Sequence, residues 1–329
     1  MARVARIERT GGPEVILWVD VELPPPGPGE VRMRTTVAGL NFIDTYHRSG
    51  LYPVPLPSGL GVEAAGVVEA VGPGVTGFST GDRVATFGPV LGAYATERNL
   101  PAASLFRLPD TIDDQTAAAV LLKGCTAEFL IERCGRVQPG WTVLVHAAAG
   151  GVGQILVGWL KAIGATVIGT VGSDAKAEAA LAAGADHVIR YKQEDIAERV
   201  RALTDGAGVP VVFDGVGAST WEASLASAAR RGLIISYGNA SGPVQGVNLG
   251  TLLTHGSLFV SRPNLAAYYV EPGERAAGIQ RLFDMIERGV VTANINQRFA
   301  LEDAAEAHRA IAGGETVGAT ILLPYTKLQ

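Results

Sequence analysis

Apolar and polar positions alternate along EVRMRTTVAGLN, residues 30–41. Val31, Met33, Thr35 and Val37 fall on one side and polar neighbours on the other, the period of a half-buried strand. VEAAGVVEAVGPGV and GDRVATF continue the style between Gly and Pro turn signals, so roughly the first 110 residues predict an irregular, mainly antiparallel β domain. The period changes near residue 113. Short apolar runs (WTVLVHA, ATVIGTV, HVIR, PVVFDGV, LIISYG) then alternate with stretches of helical spacing that begin near residues 151, 174, 193 and 219. Parallel strands need a crossover, and strands alternating with helices supply one, so this region predicts a doubly wound parallel sheet of the nucleotide-binding kind. Beyond GSLFV the pattern gives a helix over 273–288, a short β piece, a helix over 302–312 and a last apolar strand in GATILLP. That tail is expected to pack back on the first domain. The expected divisions are 1–122 and 265–329 for the two parts of a catalytic domain, with 123–264 as a Rossmann-type insert.

The stretch HAAAGGVGQ, residues 146–154, lies at the junction of the first parallel strand and the first helix, where Ile155, Leu156, Trp159, Leu160 and Ile163 keep helical apolar spacing. Strand, glycine turn and helix in that order form the setting of a dinucleotide fingerprint. Gly150, Gly151 and Val152 open the helix with N–H groups suited to a diphosphate, and Gly153 permits close helix–strand packing. Ala148 stands where the pattern has its first glycine; a purely structural turn is the competing reading. The next strand bears on that choice. An NAD site wants Asp or Glu at its end to hold the ribose 2′-hydroxyl, whereas this chain has Gly172, then Ser173 and, in the next helix, Lys176. A hydroxyl with a nearby cation suits a 2′-phosphate, so NADPH is the expected cofactor; Asp174, close by, weighs against it. Tyr191 is read either as flanking the adenosine end or as simply ending a strand, and Gly238, Asn239 and Ala240 are read as lining the nicotinamide end, with a plain loop as the competing reading.

Length and charge narrow the field. The 329 residues suit two domains, and 47% hydrophobic with 18% charged residues decides against a disordered chain. A net charge of -5 without a long run of one sign argues against nucleic acid or an anionic membrane as partner. No apolar run is long enough to span a bilayer and the N-terminus has no apolar leader core, so the cytoplasm is the expected compartment. Only Cys125 and Cys134 are present, too few for a disulfide framework or a four-cysteine zinc lobe.

GLNFIDTYHRSGLYPVPLPSGLGVEAAGVVEAVGPGV, HAAAGGVGQ and GSLFVSRP, in that order across the chain, resemble the quinone oxidoreductase (zeta-crystallin-like) branch of the medium-chain dehydrogenase/reductase superfamily. The resemblance implies a GroES-like catalytic domain, a homodimer, and hydride transfer from NADPH to a small-molecule quinone in an interdomain cleft. Zinc-dependent members carry Cys near the end of the early strand and a Gly-His-Glu triplet. Asn41 and Gly61-Val62-Glu63 replace these, and neither an amide nor a valine is a competent zinc ligand there. No metal is therefore expected, and Glu63 is expected to pack or to hydrogen-bond. Without a Lewis acid, orientation and hydrogen-bond donors must suffice; Asn41, Tyr46 and Tyr52 are the expected catalytic set, and Thr126 a nicotinamide contact. Two competing activities share this outline: NADPH-dependent reduction of an activated C=C bond in an enone, alkenal or enoyl thioester, and NADPH binding without turnover.

Overall fold

The computed structural model describes residues 1–324. In chain order its elements are β1 (Ala2–Ile7), β2 (Leu17–Val21), β3 (Glu30–Leu40), α1 (Phe42–Ser49), β4 (Ser58–Gly59), β5 (Glu63–Val71), β6 (Arg83–Phe87), β7 (Glu97–Pro101), β8 (Leu105–Arg107) and α2 (Asp114–Glu128). A π-helical stretch, Phe129–Gly135, extends α2. Next come β9 (Thr142–Val145), α3 (Gly151–Ile163), β10 (Thr166–Val171), α4 (Asp174–Ala182), β11 (His187–Arg190), α5 (Ile196–Leu203), β12 (Val209–Asp214), α6 (Trp221–Ser227) and β13 (Ala228–Ser236). The chain closes with α7 (Gly250–Thr254), β14 (Phe259–Ser261), α8 (Leu265–Tyr268), α9 (Pro272–Glu287), β15 (Ile295–Ala300), α10 (Ala304–Ala312) and β16 (Ala319–Leu323). They form two compact units: Met1–Leu122 with the chain from Ala293 onward, and Lys123–Thr292.

Unit 1 holds a seven-stranded sheet in the order β15-β16-β3-β5-β6-β8, with β7 also paired to β3, and a small sheet β2-β1-β4. All pairs are antiparallel except β15 with β16. The alternation in β3 is what buries one side of it: Val31, Met33, Thr35 and Val37 are all inside. Tyr94, Leu60 and Leu100 complete that core, with Ala304, Ala307 and Ile311 of α10.

Unit 2 is a six-stranded, wholly parallel sheet in the order β11-β10-β9-β12-β13-β14. Its inner strands are covered on both faces, so they read as continuous apolar runs, and Leu144, Ile168, Val212 and Ile234 are fully buried. The chain order doubles back at β9, which has β10 on one side and β12 on the other. That is the switch point at which open α/β sheets hold ligands beyond their strand C-termini.

The second division lies between Thr292 and Ala293, not at 265 as the sequence pattern suggested. The cause is packing by α9. Gly124 leaves room for Leu282, whose Cδ2 would stand 2.8 Å from an added Cβ, and a Cβ on Gly158 would lie 2.9 Å from the Val290 carbonyl oxygen. Arg281 donates to Glu132 at 2.8 and 3.0 Å. These bonds and contacts tie residues 278–292 to the π-helical stretch, to α3 and to the unit-2 part of α2.

Candidate functional site

The glycine turn runs from the end of β9 into α3, with Gly150 as extended N-cap (φ -78, ψ 172). The N–H groups of the first helical turn have no acceptor within the helix, which makes this end an anion seat. Gly153 is obligatory on geometry, since a Cβ there would collide with the Ala147 carbonyl oxygen and come within 2.9 Å of Ala148 Cα. Ala148 is accommodated from the neighbouring strand: Gly169 of β10 faces it, and a Cβ at Gly169 would stand 2.7 Å from the Ala148 methyl. Gln154 Nε2 donates to the Ala149 carbonyl at 2.9 Å and Ala148 N–H to the Thr170 carbonyl at 3.1 Å, so the turn is braced at both ends.

Beyond β10, Gly172 lies beneath the Tyr191 phenol; a Cβ at 172 would overlap the hydroxyl. An acidic side chain at that position could not coexist with Tyr191 as placed, a packing reason for the glycine. Ser173 caps α4 and accepts from Lys176 N–H at 3.4 Å. Burial, then the nearby Lys192, pushes the Lys176 ammonium below its ordinary pKa. Lys192 went unnoticed in the sequence because its register, one residue past Tyr191, matters only once β10 and β11 pair as Val171 with Arg190. Asp174 forms an ion pair with Arg190 at 2.6 Å, so the carboxylate that weighed against a phosphate is charge-compensated.

The loops after β12 and β13 are laced together. Tyr237 N–H donates to the Asp214 carbonyl, Ala240 N–H to that of Gly215 and Ser241 N–H to that of Val216, at 2.8, 3.3 and 2.8 Å. Gly238 and Gly215 are in backbone contact, as a Cβ at 238 would lie 2.9 Å from Gly215 Cα. Gly238, Asn239 and Ala240 therefore stand on one rigid double loop, with Asn239 buried. Thr126 lies half-buried on the unit-2 part of α2.

In unit 1, Asn41 is the N-cap of α1: its N–H donates to Asp44 Oδ2 at 3.0 Å and its Nδ2 to Glu63 Oε2 at 2.8 Å. Glu63 is fully buried and also accepts from Leu122 N–H at 2.6 Å. Where zinc-dependent enzymes place ligands, this chain holds an amide bonded to a carboxylate, and the buried side chain of Val62. That donor set does not fit zinc. Among the described residues no three His, Cys, Asp or Glu side chains are grouped as metal ligands. Tyr46 and Tyr52 meet edge to face with ring centroids 5.1 Å apart, and Tyr52 N–H donates to the Tyr46 carbonyl at 3.1 Å. The sequence spacing of six residues becomes one aromatic pair. His47 lies 6.2 Å from Tyr52, ring to ring, and burial lowers its pKa, which disfavours it as a proton donor near neutrality.

Family models match both units: Alcohol dehydrogenase GroES-like domain over 27–110 and Zinc-binding dehydrogenase over 151–263. The quinone oxidoreductase of Pseudomonas aeruginosa is 52% identical over 325 residues, covering 98% of this chain and 100% of that one. A 2-haloacrylate reductase from a Burkholderia species is 45% identical over 332 residues, 98% of this chain and 99% of its own. The crystal structure of Escherichia coli quinone oxidoreductase complexed with NADPH matches with a TM-score of 0.95 at 45% identity, over 98% of this chain and 100% of that one. With quinone oxidoreductases at this identity over nearly the whole of both chains, and family models matching both units, the chain belongs to the quinone oxidoreductase branch of the medium-chain dehydrogenase/reductase superfamily.

Proposed function

We propose that this protein is an NADPH-dependent quinone reductase that works without a bound metal. The observation that carries the cofactor reading is the end of β10: Gly172 under Tyr191, the Ser173 hydroxyl, and Lys176 with Lys192 beside it, with no uncompensated carboxylate. Ser173, Lys176 and Tyr191 would hold the 2′-phosphate and adenosine end, the N–H groups of Gly151, Val152 and Gly153 the diphosphate, and Thr126, Gly238, Asn239 and Ala240 the nicotinamide end. NADPH, when bound, supplies the hydride, and a proton from water completes reduction of the quinone to a hydroquinone. Asn41, Tyr46 and Tyr52 would receive the quinone. The phenols donate to its oxygens and stack on its ring, while Glu63 keeps the Asn41 amide oriented and leaves its second N–H to donate.

Two outcomes compete with this one. The 2-haloacrylate reductase relative favours reduction of an activated C=C bond, with enones, alkenals and enoyl thioesters as the class. Binding of NADPH without turnover is the other. Loss of NADPH absorbance with para-benzoquinone, an ortho-quinone and an enone offered in parallel, each repeated with NADH, separates all three. Rapid quinone-dependent oxidation of NADPH, not NADH, is the expected result, and turnover with the enone alone would transfer the protein to the alkene reductases. Gly153→Ala is expected to weaken NADPH binding at least about tenfold, because the turn must open to admit the methyl. Fluorescence titration of the purified variant measures it, and unchanged affinity would remove the turn from the diphosphate site.

The cytoplasm is the proposed compartment, in keeping with two cysteines that form no disulfide; no helix among the described residues is long and apolar enough to cross a membrane. A homodimer is proposed through the sheet edge at β14. Phe259 and Val260 there are 59% and 40% exposed, beside Leu249 and Leu253 of the α7 region at 77% and 71%. An open, apolar parallel edge is the kind that a second copy covers. Light scattering should give about twice the 34.1 kDa of one chain, and Phe259→Arg should halve it; a monomer at micromolar concentration would defeat the proposal.

A further inference from the structure

His146 and Asp214, both titratable and both buried in unit 2, take no part in the chemistry above. They belong to one chain of hydrogen bonds that crosses the sheet under the strand C-termini. His146 Nδ1 is 3.0 Å from Thr170 Oγ1 and its Nε2 is 3.1 Å from Ser224 Oγ. Ser224 Oγ donates to Asp214 Oδ2 at 2.7 Å, Thr220 Oγ1 donates to the same carboxylate at 2.8 Å, and the N–H groups of Val216 and Gly217 donate to Oδ1 at 2.9 and 3.0 Å.

The directions of these bonds follow from one another. A carboxylate only accepts, so the Ser224 proton points at Asp214 and its oxygen is left to accept from His146 Nε2–H. Burial pushes the His146 pKa below its ordinary value despite the nearby Asp214, which keeps the ring neutral; its bare Nδ1 then accepts from Thr170 O–H. Each bond then has one donor and one acceptor, and reversing the Ser224 bond would set its bare oxygen against the carboxylate at 2.7 Å. The chain thus joins Thr170, two residues before Gly172; His146, the first residue of the glycine turn; and Asp214, whose carbonyl and carboxylate fasten the double loop that carries Gly238, Asn239 and Ala240.

We propose that Thr170, His146, Ser224 and Asp214 are positioning residues for the dinucleotide, a fixed polar strut that sets the spacing between the three strand-end loops that grip its adenosine, diphosphate and nicotinamide parts. The proposal rests on the NADPH reading. A simple packing role would move stability only, whereas a strut that sets loop spacing moves cofactor affinity when one bond is cut and the side-chain volume kept.

Thr170→Val removes the hydroxyl that Nδ1 needs while keeping shape and strand propensity, Thr170→Ser restores the hydroxyl, and Ser224→Ala cuts the strut at its middle. NADPH dissociation constants by fluorescence titration, kinetic constants and melting temperatures are measured for all four proteins. Thr170→Val and Ser224→Ala are expected to raise the dissociation and Michaelis constants for NADPH about tenfold with kcat within about twofold, and Thr170→Ser to restore affinity to within about twofold whatever its melting temperature. Two-bond 1H–15N spectra of histidine-labelled wild type should show the His146 ring, identified as the set of signals missing from His146→Gln, as a neutral Nε2–H tautomer that shifts on NADPH addition. Lowered melting temperatures with unchanged NADPH affinity, or an Nδ1–H tautomer at His146, would overturn the proposal. A wild type that fails to bind NADPH would sink the cofactor reading and this proposal with it; a binding wild type with indifferent variants would sink the strut alone.

Discussion

Lys176→Glu is expected to raise the Michaelis constant for NADPH about fiftyfold, the equivalent of about 2.3 kcal/mol, while leaving that for NADH within about twofold. Burial and, next, the charge of the nearby Lys192 lower the pKa of the half-buried Lys176 ammonium, so two positive charges share partly desolvated surroundings. A dianionic phosphate relieves that repulsion and a bare ribose hydroxyl does not, so the change acts on one cofactor only. Reversal of the charge also places a carboxylate against the phosphate, beyond the mere loss of one donor. Steady-state kinetics with both cofactors decides it: equal increases would remove Lys176 from the phosphate site. Lys192→Ala should follow in the same direction with a smaller effect, because that side chain is exposed and screened by solvent.

Acid should loosen unit 1 well before its carboxylates are titrated. His308 is completely buried, Arg48 Nη1 lies 3.3 Å from its Nδ1, and its Nε2 is 3.3 Å from the Tyr94 hydroxyl, which donates to Asp44 at 2.8 Å. Arginine can only donate, so the ring is a neutral Nε2–H tautomer. Burial and, next, the Arg48 charge hold its pKa at about 3, below the ordinary 6.5. The unfolded chain therefore binds a proton at pH values where the folded one refuses it. The stabilisation is complete above pH 6.5 and is lost as the pH falls from 6.5 toward 3, at up to about 1.4 kcal/mol per unit, or about 2 kcal/mol by pH 5. Urea unfolding followed by hydrogen exchange of the peptide carrying β3, at pH 7.5 and pH 5, measures the difference. His308→Gln keeps one donor and one acceptor but cannot titrate, and it should cancel most of the loss; an unchanged slope would show that the ring is charged or solvated.

The parallel sheet was legible because its strands are buried on both faces and its crossovers are helices of regular apolar period. Those are local signals, and so was the turn at 150–153, where mechanism demands glycine. What stayed hidden depends on partners far along the chain. Residues 265–292 look like a return to the first domain until Leu282 and Val290 are found filling the spaces that Gly124 and Gly158 leave open. Asp174 reads as an unfavourable acid until β11 brings Arg190 to it. The polar strut could not be read at all, since Thr170, His146, Ser224 and Asp214 share no spacing and meet only across three strands and a helix. In unit 1 the replaced zinc ligands were visible as an amide and a valine, but the bond from Asn41 to Glu63 joins the ends of two antiparallel strands and needed their pairing.

The space between the glycine turn and β10 has room for one methyl group, and this chain gives it to residue 148, leaving 169 bare. Neither position has a fixed identity of its own; the vacancy they share has a fixed size. Trading the two, Ala148→Gly together with Gly169→Ala, should be close to silent, whereas filling both seats wedges the turn off its strand and emptying both leaves a hole worth about 1 kcal/mol. A cofactor fingerprint judged along a single line of sequence would score the first exchange as a gain and the second as damage. It is better read as a two-strand rule, in which a lost glycine in the turn is sought again on the strand beside it.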